Sequence, residues 1–123
     1  MAKGKKILIV DDEKPMARAL ELKLNKVGFE AKTAFNGEEA IEILGKDKFD
    51  LIITDLVMPK VDGFGVLDAL KKKKDKTPVI VSSNLGQEED LKKAKSLGAK
   101  DYFVKSDTPI TKVVEHVNKI LKL

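Results

Sequence analysis

Short unbroken apolar runs alternate along the chain with longer stretches in which apolar residues recur every three or four positions. A run of four to eight apolar residues reads as a strand buried on both faces, and the longer recurrence reads as an amphipathic helix. Lys6 to Val10 is the first predicted strand, and Lys14 to Val27 the first helix, with Pro15 in its opening turn, Gly28 at its stop and Met16, Leu20, Leu24 and Val27 on one face. Glu30 to Phe35 is a half-polar second strand. Asn36 then caps a helix over Glu38 to Leu44 with Ala40, Ile41 and Leu44 inward. Leu51 to Thr54 is a third strand, and Asp62 caps a helix running to about Lys73. Pro78 to Ser82 is the fourth strand and Gln87 to Leu97 a helix stopped by Gly98. Lys100 to Val104 is the fifth strand. Pro109 opens a last helix striped by Ile110, Val113, Val114, Val117, Ile120 and Leu121.

Strand and helix therefore alternate five times. Such alternation predicts an α/β fold with a parallel sheet covered by helices on both faces, and right-handed crossovers leave few arrangements. The second and fifth strands are the more polar and belong at the edges. That fits the doubly wound (βα)5 order 2-1-3-4-5.

The order decides where the acids meet. Ligands of open parallel sheets bind beyond the carboxyl ends of the strands, where strand order reverses, here between strands one and three. The run ILIVDDEKP ends strand one on Asp11, Asp12 and Glu13, and strand three ends on Asp55. Like charges brought together require compensation. Asp11, Asp12 and Asp55 would form an oxygen-rich site for a hard divalent cation such as Mg²⁺, which keeps positions open for a phosphate. Strands four and five end on Ser82, Ser83 and Lys105 at the same rim. They would add a hydroxyl and an ammonium for phosphate oxygens. Taken singly, each of these residues also fits an ordinary solvated strand end or helix cap; their conjunction at one rim points to a site.

Composition narrows the classes. A length of 123 residues suits one domain, assigned to residues 1–123, and buries a sufficient core without staples. The absence of Cys excludes disulfide and thiol chemistry and suits a reducing, cytoplasmic setting. The start MAKGKK, followed by four apolar residues and then acids, is too short for a secretory leader. No apolar run approaches the roughly 20 residues of a membrane span, so no membrane insertion is expected. The net charge of +4 comes from 23 Lys and one Arg. With Arg and aromatics scarce, it reads as solubility rather than direct nucleic-acid binding.

At the level of motifs, ILIVDDE, IITDLVMPKVDG, PVIVSS and GAKDYFVK occur in this order across essentially the whole length. In this the chain closely resembles the receiver domains of two-component response regulators. The resemblance implies a flavodoxin-like fold and a cytoplasmic signalling phosphoprotein whose only catalysis is its own phosphorylation and dephosphorylation. It implies that Asp55 accepts a phosphoryl group from the phosphohistidine of a sensor histidine kinase or a histidine phosphotransfer protein, in a Mg²⁺-dependent reaction. It makes Asp12 and Asp55 direct metal ligands, Asp11 the holder of a metal-bound water, and the Val57 backbone carbonyl the third protein ligand. Lys105 becomes the contact to a phosphate oxygen, Ser83 the switch hydroxyl and Tyr102 the switch aromatic. Together these bias the face of helix four, strand five and helix five toward an output partner. A monomer, or a dimer formed on phosphorylation, is expected.

Several features depart from that pattern or stand outside it. Receivers usually carry Pro after the lysine, often with a cis peptide, where this chain has Ser106; without Pro a cis bond costs about 2.5–4 kcal/mol, so a differently shaped loop is the alternative. Asn84 stands where a small residue is usual and could narrow access to Asp55. Val57 and Leu85, each two residues past Asp55 or Ser83, are apolar and ill-suited to position an attacking water, so a phosphate on Asp55 should outlast seconds. Met58 and Pro59 shape the loop beside the site, while Phe64 and Leu67 read as core. Lys71 to Lys74 is a basic helix end, and His116, the only His, reads as solvated or partner-facing. A phosphate-independent receiver acting as a protein-binding module is the alternative function. Flavin carriers, Asp-x-Asp phosphatases and P-loop enzymes lack their signatures here. No DNA-binding segment follows in this sequence, which is expected to be either a stand-alone regulator or part of a longer one.

Overall fold

The computed structural model describes residues 4–56, 58, 61–84 and 88–123. Within them the strands β1 (Lys6–Val10), β2 (Glu30–Ala34), β3 (Leu51–Thr54), β4 (Val79–Ser83) and β5 (Asp101–Val104) alternate with α1 (Lys14–Lys26), α2 (Gly37–Leu44), α3 (Gly63–Lys72), α4 (Glu88–Ser96) and α5 (Ile110–Leu121). All pairings are parallel and the order is β2-β1-β3-β4-β5, the predicted one. Element ends shift by a residue or two from those expected, as helix and strand ends commonly do.

The pleat explains why the central strands read as continuous apolar runs. Alternate residues point to opposite faces. Leu8, Val10, Ile52, Val79 and Val81 pack under α2, α3 and α4 with Ala40, Val66, Leu67, Leu70 and Ala94. Ile7, Ile9, Leu51, Ile53 and Ile80 pack under α1 and α5 with Ala17, Leu20, Leu24, Val113 and Val117. Each fully buried Ile or Leu contributes roughly 1.5–3 kcal/mol, which fixes the register of β1 between its neighbours. The stripe of α1 is corrected in one respect: Ala17 shares the inner face with Leu20 and Leu24, whereas Met16 and Val27 are exposed. Those two lie at the margin of a stripe wide enough for three residues per two turns.

Caps place the helices. Asn36 Oδ1 accepts from Glu39 N at 2.8 Å, and Asp62 Oδ1 from Gly65 N at 2.9 Å. The loop after Lys105 also departs from the cis form common in the family the sequence resembles. The described peptides are all trans, and Lys105–Asp107 forms a single 3-10 turn leading to Pro109, the N-cap of α5. With no Pro at position 106, the trans form avoids the cost of a cis bond.

Candidate functional site

The site begins with strand register. Val10 pairs with Thr54, so the next residues, Asp11 and Asp55, emerge side by side. The ladder extends one step beyond the strands: Asp55 N donates to Val10 O at 2.9 Å and Asp11 N to Ala34 O at 3.0 Å. Both carboxylates are therefore held by backbone that belongs to the core, and each residue is only 6% exposed. Asp12, one residue on, is exposed. Asp11, Asp12 and Asp55 each offer one oxygen, and these lie within 4.8 Å of one another.

Gly63 explains the spacing from Asp55 to the start of α3. Its N–H donates to Leu56 O at 3.0 Å. A Cβ there would sit 2.2 Å from Asp55 O and 2.8 Å from Leu56 Cα. Only glycine lets the first turn of α3 close against the backbone that carries Asp55.

Lys105 provides the compensation that the acids require. It follows β5, whose Val104 pairs with Ser83, and it is 5% exposed. Its Nζ lies 2.8 Å from Asp11 Oδ2 and 2.9 Å from Asp55 Oδ2. A third partner was not anticipated: Glu13 Oε1 accepts from the same Nζ at 3.1 Å, across 92 residues of sequence. The only signal for it was the third acid of DDE. Burial disfavours the charge of Lys105, but its hydrogen bonds to Asp11 and Asp55 outweigh this and hold its pKa above the ordinary lysine value. Burial pushes the Asp11 carboxyl above its usual value, against the opposing pull of Lys105 and of Glu13 N, which donates to Oδ1 at 2.9 Å. Leu56 N also donates to Asp55 Oδ1 at 2.7 Å.

Ser83 ends β4 at the same rim and is 1% exposed. Tyr102 is half-buried and packs with the cluster under α2, α3 and α4. Val57, Pro59 and Leu85, and with them the expected third ligand carbonyl, lie outside the described residues. Met58 is buried with Leu56 in the core. Phe64 is half-buried with Lys93 Nζ 4.4 Å from its ring centre, and Leu67 is buried. His116 is less solvated than expected. Its Nδ1 lies 2.6 Å from Asp101 Oδ2, and its ring lies 5.6 Å from that of Phe103. Sequence spacing alone does not reveal such a contact between α5 and β5. Nor does it reveal that Asn84 Oδ1 accepts from Ser106 N at 3.1 Å.

The cluster fits a hard divalent cation: its donors are carboxylate oxygens, close enough to share one ion, on backbone fixed by the sheet. Among the described residues no helix is long and apolar enough to cross a membrane.

Comparison with known proteins agrees. Residues 7–118 match the family model described as the response regulator receiver domain. Over 105 residues the chain is 44% identical to the "Probable transcriptional regulator ycf27" of Cyanophora paradoxa, a match covering 85% of this chain and 44% of that protein. The chain thus spans under half the length of the curated relatives it matches. The receiver domain of the Francisella response regulator 1452 superposes with a TM-score of 0.90 at 32% identity, covering 97% of this chain and 98% of that one. TrrA of Thermotoga maritima, determined in complex with Mg(2+)-BeF, gives 0.82 at 33% identity over 94% and 97%. With the doubly wound sheet and the acids at its switch point already in place, these matches establish that the chain belongs to the receiver domains of two-component response regulators.

Proposed function

We propose that the chain, as one receiver domain over residues 1–123, is a phosphoacceptor whose Asp55 takes a phosphoryl group from the phosphohistidine of a sensor histidine kinase or a histidine phosphotransfer protein. One observation carries this: a buried carboxylate at the rim stands 2.9 Å from a buried ammonium and within 4.8 Å of two further acids. That arrangement has little structural purpose, since buried ion pairs stabilise a fold weakly if at all. It suits phosphoryl transfer, which depends on positioning and charge stabilisation.

Asp12 and Asp55 would hold Mg²⁺ directly, Asp11 would orient a water toward it, and the Val57 carbonyl would complete the protein ligands. That TrrA, a structural neighbour, was determined with Mg(2+)-BeF supports a magnesium ion as the metal. Bound there, Mg²⁺ would neutralise charge developing on the phosphoryl oxygens. The residues do the rest. An Asp55 oxygen attacks phosphorus as the phosphorus–nitrogen bond breaks, and the departing imidazole keeps the electron pair and takes a proton from solvent. Lys105, already bonded to Asp55 Oδ2, turns to a phosphoryl oxygen. Ser83 donates to another. Its inward movement would leave room for Tyr102 to rotate, altering the face of α4, β5 and α5 for an output partner, as a monomer or as a dimer formed on phosphorylation. The whole-length relatives named as transcriptional regulators favour an output linked to transcription.

The test is intact mass after incubation with Mg²⁺ and a small phosphodonor. The wild type should gain one phosphoryl group and Asp55→Asn none. If both remain unmodified while Asp55→Asn retains partner binding, the chain is instead a phosphate-independent binding module.

A further inference from the structure

Ser83 ends β4 and Lys105 follows β5, yet the residues that come after them are bonded to each other. Ser83 pairs with Val104 in register, which places Asn84 opposite the start of the Lys105–Asp107 turn. Asn84 Oδ1 accepts from Ser106 N at 3.1 Å. The first N–H groups of any helical turn have no partner within it. The far side of the turn is closed locally, by Thr108 Oγ1 donating to Val104 O at 2.7 Å. Its near side is closed by a side chain from the neighbouring loop. Asn84 and Ser106 are exposed, whereas Ser83 and Lys105 beside them are 1% and 5% exposed. They are also the two positions at which this chain departs from the receiver pattern.

From this geometry we propose that Asn84 is a positioning residue: its side chain latches the end of β4 to the turn that carries Lys105, so that Lys105 Nζ is held on Asp55 and Asp11 and any shift of Ser83 is passed to the entry of α5. The kinetic part of this rests on Asp55 being the phosphoacceptor. The latch itself does not, because it exists without phosphate. Its chemistry needs one acceptor at 84 and one N–H at 106. Proline at 106 removes that donor and also disfavours a helical conformation at Lys105, so Ser106→Pro loosens the turn whatever stands at 84.

The test is a double-mutant cycle of Asn84→Ala and Ser106→Pro, with Asn84→Asp as the variant that keeps an acceptor. Amide hydrogen exchange in Mg²⁺-free, unphosphorylated protein should show Ser106 N–H protection falling roughly three- to tenfold in Asn84→Ala, the worth of one net hydrogen bond, and largely recovering in Asn84→Asp. Phosphoryl uptake from a small donor should slow by a similar factor in Asn84→Ala, yet be unchanged by the same substitution made in Ser106→Pro. Unaltered Ser106 exchange in Asn84→Ala overturns the latch. An equal rate change in both backgrounds also overturns it, since Asn84 would then act on access to Asp55 alone. If Ser106 exchange rises in Asn84→Ala and recovers in Asn84→Asp but no protein takes up phosphate, the latch stands and the phosphoacceptor assignment is what fails.

Discussion

The two ends of the sheet use charge in opposite ways. At the carboxyl end, Asp11, Asp55 and Lys105 are almost wholly buried and converge within hydrogen-bond distance. At the amino end, the loops 44–49 and 73–77 line an open hollow of about 860 Å³ that carries Lys46, Lys48, Lys73, Lys74 and Lys76. Those lysines are exposed, and the acids among them are held locally: Asp47 by Lys6 Nζ and Asp75 by Thr77. Water screens charges at this foot, while at the rim only other charges can. The foot can thus change with little consequence, whereas each group at the rim depends on the others.

The largest effect expected from breaking this contrast is at Lys105. Lys105→Met leaves Asp11 and Asp55 buried without their cation, and removing one partner of a buried ion cluster costs about 3–5 kcal/mol. Chemical denaturation should show that loss. Mg²⁺ should then stabilise Lys105→Met more than the wild type, because in the wild type the ammonium competes for the same oxygens. Equal stabilisation of both proteins would mean that ammonium and cation occupy separate places.

Next in size is Gly63→Ala. The added Cβ meets Asp55 O and Leu56 Cα, backbone atoms that no rotamer change can move aside. Overpacking of this kind costs about 1–3 kcal/mol. The strain falls on the residue that carries the candidate carboxylate, so phosphoryl uptake should fall along with the unfolding midpoint. A stability loss with an unchanged uptake rate would show that α3 moves away and the strand end does not.

This glycine also marks how far sequence reasoning reaches. Strand order, both faces of the core and the meeting of Asp11 and Asp55 were legible, because each follows from apolar period and a switch-point rule, and both are properties of backbone geometry. Asn36 and Asp62 were legible as caps because a cap is local. The partners of Lys105 were only partly so: Glu13 is a side chain reaching across 92 residues, and no periodicity encodes such a reach. The same applies to His116 with Asp101, and to Asn84 with Ser106, where two isolated departures from a pattern turned out to be one bond. The margin of α1 was misjudged because Ala17, small and unremarkable in sequence, takes the inner place assigned to Met16.

A smaller effect separates the acids at the two ends by sign. Burial raises the pKa of Asp11, whereas the Thr77 hydroxyl, at 2.6 Å from Asp75 Oδ1, lowers that of Asp75, with Thr77 N and nearby lysines adding to it against burial. A folded pKa below the unfolded one means that stability is present above the unfolded value and is lost as pH falls through the folded one. Asp75→Asn should therefore cost about 1 kcal/mol near neutral pH and almost nothing near pH 2, flattening the acid limb of the stability curve. Parallel curves for the two proteins would assign the cost to packing and remove the charge from the account.

The smallest effect has the opposite direction. Four helices end in the same motif, in which a residue at positive φ turns the chain and the next N–H reaches back to a carbonyl of the last turn. In α1 and α4 that residue is glycine, Gly28 and Gly98, each at φ 108°; in α3 and α5 it is Lys74 at 57° and Lys122 at 58°. The bonds at α3 are well formed, with Lys74 N donating to Lys71 O at 3.0 Å and Asp75 N to Leu70 O at 2.9 Å. An L side chain in this conformation costs roughly 1–2 kcal/mol, partly offset by the greater unfolded freedom of glycine. Lys74→Gly should thus stabilise the protein by about 0.5–1 kcal/mol in urea titrations, since an exposed lysine at the foot contributes little to set against the strain. A loss of stability instead would mean that the Lys74 side chain makes a contact of its own in the hollow, and the foot would no longer be the passive end of the molecule.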